Sequence, residues 1–150
     1  MALDFVHLNV HSNFSILAGT RPVEDLVAAA KLAGMTSLAL TDTNGLYAAV
    51  DFQLACRAGD VRPVFGAELR HGGRRAVVLA RDAAGHAELC RLVTRRHLDD
   101  TFRLGEALAG LSDHVFVLCG EPALLAGLRG RDNVYVEIVC HHDIESRRHK

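Results

Sequence analysis

The feature that most constrains this chain is a change of hydrophobic period that recurs along its length. Short apolar runs rich in β-branched residues give way to stretches whose apolar residues return every three or four positions, and then resume. Phe5 to Val10 is such a run and predicts a first strand, ending in the polar stretch around Ser12, Asn13 and Gly19. Pro22 opens a helix whose Val23, Leu26, Val27, Ala30 and Ala33 form one apolar stripe before Gly34 stops it. Ser37 to Leu40 predicts a second strand. The turn Asp42-Thr43-Asn44-Gly45 follows, and helical spacing runs from Leu46 to Ala58, ending at Gly59, with Leu46, Tyr47 and Phe52 expected in the core. Pro63 to Leu69 and Ala76 to Ala80, joined through Gly72-Gly73, predict a hairpin inserted in the alternation. Asp82 caps a helix carrying Leu89, Leu92 and Val93. Val115 to Leu118 then predicts a strand, Pro122 to Leu128 a short helix and Val134 to Val139 a last strand, while the stretch through Gly105 and Gly110 shows no regular period.

Strands alternating with helices predict an α/β fold with a mainly parallel sheet, whose functional groups gather at the C-terminal ends of the strands. With 49% hydrophobic and 23% charged residues, the chain suits a single domain over residues 1–150, without linker or repeat. Lys plus Arg number 17 against 18 Asp plus Glu, a net charge of -1, which excludes a grip on DNA by bulk electrostatics. Arg95-Arg96-His97 and Arg147-Arg148-His149-Lys150 read as solvated surface. No apolar run approaches the roughly 20 residues that cross a bilayer, and Met1-Ala2-Leu3-Asp4 lacks the pattern of a signal peptide, so a cytoplasmic protein is expected. The four cysteines, Cys56, Cys90, Cys119 and Cys140, never form a C-x-x-C pair and are expected to be reduced and buried.

Nine histidines, several close to acidic residues, are raw material for a metal site. His7, Asn9 and His11 alternate with apolar residues and so share one face of the first strand at roughly 7 Å steps. Asp42, Glu68 and the run Glu137 to His142 stand at other strand ends. Asp42 either caps the following helix or orients a ligand from behind it. Cys140 and His141 point to opposite faces, so both cannot serve one site.

The order Phe5-Val6-His7-Leu8-Asn9-Val10-His11-Ser12, Leu40-Thr41-Asp42-Thr43-Asn44-Gly45-Leu46-Tyr47 and Pro63-Val64-Phe65-Gly66-Ala67-Glu68 resembles the polymerase-and-histidinol-phosphatase (PHP) domain. This domain begins the alpha subunit of bacterial DNA polymerase III and its error-prone relatives. The likeness continues through Val77 to Asp82 with Gly85, and through Asn133 to Ile138; Val64 to Leu69 is worded closer to the error-prone branch. It implies a distorted (β/α)7 barrel holding up to three zinc, manganese or iron ions for phosphoester hydrolysis. Here the barrel is expected to be incomplete, because the family's last strands and helices would lie beyond Lys150. An open edge of that kind must pair, be covered or drive self-association.

The resemblance places the family's metal-binding His-x-His pair on Asn9 and His11, its acidic loop ligand on Ala18, and its histidine after Thr-Asp on Thr43. His11, Glu68 and His141 keep ligand-type residues, and His7 reads as a hydrogen-bonded histidine at the barrel end. An Asn carbonyl is a weak ligand, Ala offers none, and a Thr hydroxyl binds poorly unless deprotonated, so two- or three-metal chemistry loses its clamp. One weakly held zinc or manganese ion is the most such a set supports. The resemblance therefore implies a polymerase N-terminal domain with a structural or partner-docking role in DNA replication or repair synthesis. Its partners would be the remainder of the polymerase chain or replisome subunits. The alternatives are a metal-dependent phosphoesterase using His11, Glu68 and His141, and a truncated product without a role.

Overall fold

A computed structural model describes residues 5–138. Strands β1 (Ser37–Leu40), β2 (Arg62–His71), β3 (Arg74–Ala80), β4 (Val115–Cys119) and β5 (Val134–Val136) form one sheet in the order β1-β2-β3-β4-β5. Helices α1 (Val23–Leu32), α2 (Ala49–Gly59), α3 (Ala83–Leu98), α4 (Leu104–Ala109) and α5 (Pro122–Ala126) complete the described elements. The pairs β1–β2 and β4–β5 are parallel, and β3 runs antiparallel to both neighbours. All strands but β3 therefore share one direction, and among the described residues the sheet stays open rather than closing into a barrel.

The reversal of β3 is made by Gly72 and Gly73, both at positive φ (58° and 75°). A two-residue turn of this kind matches the twist of its strands and needs residues without a Cβ. It sets His71 opposite Arg74 and Arg70 opposite Arg75.

Strand alternation then sorts side chains to two faces. On the outer face, Ala67, Leu69, Ala76, Val78, Val115 and Val117 bury against Leu89 and Leu92 of α3 and Leu104 and Leu108 of α4. Leu38 and Leu40 pack against Val27, Phe52 and Cys56 of α1 and α2. On the inner face, Ala39, Val77 and Leu79 meet Val64, Phe116 and Leu118. This face lines a groove of about 930 Å³ that reaches Asn9 and Glu137.

Several elements depart from the sequence reading. Residues 7–10 run beside β1 without forming a strand: Ala39 N donates to the His7 carbonyl at 3.0 Å and Thr41 N to the Val10 carbonyl at 2.8 Å. Three steps on one side thus face two on the other, and Val10 N turns to the Thr41 hydroxyl at 2.9 Å. This bulge breaks the ladder and the simple alternation expected of His7, Asn9 and His11. Helix α2 begins at Ala49 rather than Leu46, so Tyr47 lies outside it and is 67% exposed, while Phe52 is fully buried as expected. Helix α4 occupies the stretch that showed no period; its six residues are too few to display one. Strand β5 ends at Val136, and the part of the expected last strand at Val139 lies outside the described residues.

Asp82 caps α3 as expected, accepting from Gly85 N at 2.9 Å, and its other oxygen meets His114 Nδ1 at 2.7 Å. Gly85 is buried where the helix presses on β4, and a Cβ there would lie 1.9 Å from the His114 carbonyl oxygen. Glycine to alanine inside a helix ordinarily stabilises by up to about 1 kcal/mol. At Gly85 the sign reverses: Gly85→Ala forces α3 off the sheet and lowers stability by about 2 kcal/mol, read as a fall in the urea midpoint.

Candidate functional site

Two carboxylates, Asp42 and Glu68, are each 2% exposed near the C-terminal ends of β1 and β2. Glu68 N lies within 3.3 Å of the Thr41 and Asp42 carbonyls, and Asn44 N donates to the Glu68 carbonyl at 2.8 Å, so the two strand ends are locked in register. A buried carboxylate needs hydrogen-bond donors or cations around it. The two groups meet that need differently.

Asp42 is surrounded by neutral donors. It accepts from Ser12 N at 2.7 Å, from the Ser12 hydroxyl at 2.7 Å and from the Ser15 hydroxyl at 2.6 Å. It is therefore the hub of the loop after residue 11 and not a helix cap; α2 starts behind Ala48, which makes no side-chain cap bond. The loop is tight: Ser15 O accepts from Ala18 N and Gly19 N, Leu17 takes φ 66°, and a Cβ on Gly19 would lie 1.8 Å from the Ser12 carbonyl oxygen.

The Ser15 hydroxyl also sets the state of His11. Its single proton goes to Asp42, and it accepts from Thr43 N at 2.9 Å, so His11 Nδ1, 3.0 Å away, must be the donor of that contact. His11 Nε2 then faces Glu68 Oε2 at 3.8 Å.

Glu68 is surrounded by cations. The Arg70 guanidinium holds Oε1, and Arg75 Nη1 donates to Oε2 at 3.0 Å. Burial by itself would raise the Glu68 pKa, but hydrogen bonds and charge from His11 and Arg70 outweigh it and hold the carboxyl down at about 2. Arg75 Nη2 continues to Glu137 Oε2 at 2.7 Å, and Asn9 Nδ2 donates to Glu137 Oε1 at 3.0 Å. The remaining end of the Asn9 amide accepts from the Thr41 hydroxyl at 2.9 Å.

Of the residues marked by sequence, His11, Glu68, Asn9, Asp42 and Thr43 thus come together. Thr43 contributes its backbone N–H, and its hydroxyl lies 3.4 Å from His11 Nδ1. Ala18 is exposed at the loop, and His7 is exposed with its ring edge-on to Phe5 at 4.8 Å. His141 and Cys140 lie outside the described residues. Arg95 and His97 lie exposed and Arg96 half-buried, in keeping with a surface cluster, and Arg96 and His97 donate to the Arg70 and Asn44 carbonyls at 2.7 and 2.6 Å. Cys56 and Cys119 are buried free thiols, burial pushing Cys56 up to about 11, and Cys90 is half-buried.

Sequence reasoning missed Ser12, Ser15, Arg70 and Arg75. A signal existed for the arginines: Glu68 and Arg70 are two apart in one strand, and a Gly-Gly hairpin pairs Arg70 with Arg75, so all three must share a face. No comparable spacing flagged the serines.

A model of the PHP domain family matches residues 7–129. The chain belongs to the PHP domain family. An error-prone DNA polymerase from Symbiobacterium thermophilum is 46% identical over 97 residues, covering 64% of this chain and 9% of that protein. A DNA polymerase III subunit alpha from Treponema pallidum is 34% identical over 143 residues, covering 83% of this chain and 12% of that protein. The chain thus spans about a tenth of the length of these polymerases, matching their N-terminal portion. A solved amidohydrolase from Chromobacterium violaceum, with bound sulfate and no metal, shares 20% identity at a TM-score of 0.43, covering 61% of this chain and 34% of its own. Among the described residues no helix is long and apolar enough to cross a membrane.

The PHP family implies metal ions, and the described donors do not fit a multi-metal centre. Ala18 has no donor atom, both ends of the Asn9 amide are hydrogen-bonded, and both Glu68 oxygens carry a guanidinium. Among the described residues no three His, Cys, Asp or Glu side chains are grouped to hold an ion.

Two measurements check this geometry. Asp42→Ala leaves three donors facing an apolar methyl group and costs about 3 kcal/mol, with the Ser12 amide losing its hydrogen-exchange protection. The Glu68 pKa is lowered from 4.5 to about 2, so its pairing stabilises the fold fully above pH 4.5 and that contribution is lost as pH falls toward 2. Glu68→Gln, less stable at neutral pH, shows a flatter loss of urea stability across that window.

Proposed function

We propose that residues 1–150 are one N-terminal PHP-type domain of a polymerase of the DNA polymerase III alpha and error-prone family, with a degenerate metal site. Its role there is structural. It docks against the remainder of the polymerase chain or against replisome subunits during DNA replication or repair synthesis. The observation that carries this reading is the state of Glu68, engaged by Arg70 and Arg75 at a position where the family keeps a ligand. Metal-assisted hydrolysis needs carboxylate lone pairs directed at the ion and an open coordination position. A carboxylate with a guanidinium on each oxygen is poorly placed to supply them. Similarity to polymerases over most of the chain supports the setting.

The test is the metal content of the purified chain after dialysis against zinc and manganese, together with hydrolysis of p-nitrophenyl phosphate. The expected result is metal well below one ion per chain and no hydrolysis above the buffer rate. Near-stoichiometric metal that is lost in His11→Ala, accompanied by hydrolysis, would establish the phosphoesterase instead. In a full-length polymerase carrying this region, His11→Ala is expected to leave primer extension unchanged.

A further inference from the structure

The sheet is open, yet its two edges are tied together at one end. Asn9 lies on the segment beside β1, and Glu137 directly follows β5; their side chains meet at 3.0 Å across 128 residues of sequence. Glu137 in turn is held by Arg75 of β3, whose second nitrogen holds Glu68 of β2. One guanidinium therefore sits between two carboxylates, one 3% exposed and the other 15% exposed, while itself 32% exposed. A cation placed at strand ends can join carboxylates from separate strands. The planar fork of arginine can do the same, with nitrogens directed to two acceptors at once.

We propose that Arg75 is a built-in cation, a guanidinium clasp that takes the place of a metal ion and holds the open sheet curved by bridging Glu68 and Glu137. This rests on the reading of a metal-poor structural domain and adds the residue that makes it independent of metal. Two features favour it. β3 is the one reversed strand, so its first residues, not its last, reach the end where the parallel strands finish. Arg70 and Arg75 stand directly opposite each other, an arrangement that like charges disfavour unless an anion lies between them. Glu68 is that anion. Removing Arg75 would leave Glu137 with Asn9 and Glu68 with Arg70, and would vacate a position between the two carboxylates.

The experiment is thermal unfolding of the 150-residue chain and its Arg75→Met variant, each in EDTA and in Mn²⁺. Mn²⁺ is the probe because it favours carboxylate over thiolate, which keeps Cys90 out of the result. The wild-type Tm is expected to be the same in both conditions. Arg75→Met is expected to lose several degrees in EDTA and to regain at least half of that loss in Mn²⁺. A variant as stable as wild type, or a loss that Mn²⁺ leaves untouched, overturns the clasp while leaving the metal-poor reading intact. A wild-type Tm that falls in EDTA overturns both. If Arg75→Met does not fold, Arg75→Lys, whose compact ammonium keeps the charge but lacks the fork, is measured in the same way: a smaller loss of Tm that Mn²⁺ does not relieve is expected, because the ammonium still occupies the position, and a Tm equal to wild type overturns the clasp.

Discussion

A carboxylate with 2% exposure cannot remain charged inside a sheet without close compensation, and Glu68 is such a group. Isolated burial of that charge would cost several kcal/mol. Its pairing with Arg70 and Arg75 therefore constrains everything around it: the length of the β2–β3 hairpin, the reversal of β3, and the approach of Glu137 and Asn9 from the two sheet edges. A shift of one residue in the register of β3 would send Arg75 to the outer apolar face, leaving Glu68 with Arg70 alone and Glu137 without its guanidinium. The Gly72-Gly73 turn is thus tied to the electrostatics as closely as to the backbone.

Asp42 shows the contrasting solution. It lies as deep as Glu68 but is surrounded by hydroxyl and amide donors from one loop. Neutral donors orient with the loop that supplies them, so Asp42 shapes the segment from Ser12 to Gly19. Cations on long side chains reach across strands, so Glu68 joins β2, β3 and, through Arg75, the end of β5. The same chemical group serves local order in one case and long-range closure in the other. In both, each carboxylate oxygen already has a hydrogen-bonding partner.

Much of the fold was legible in the sequence because each element carried its own period and its own stop. Helix α1, strand β1, the Gly-Gly hairpin and the Asp82 cap all follow from residues within a few positions of one another. The failures have other origins. The apolar run from Phe5 to Val10 has strand composition, but a bulge and the Thr41 hydroxyl interrupt its ladder, and neither is written in the run itself. Tyr47 fitted a helical spacing and is exposed because α2 begins two residues later. His11 and Glu68 lie 3.8 Å apart, and Asp42, which its position before a helix left open as a cap or as a support behind a ligand, does not cap α2.

What the sequence by itself determined is the α/β alternation, the reversed hairpin and, through motif order, membership of the PHP family. Periodicity and turn chemistry depend on neighbours in the chain, and these features are their direct expression. What only the tertiary structure decided is who compensates each buried charge. Ser12 and Ser15 reach Asp42 across about thirty residues, and Asn9 reaches Glu137 across 128. Such pairings depend on distances that exist only after the sheet has curved, because a carboxylate is satisfied by whatever donor or cation lies within about 3 Å of it in space.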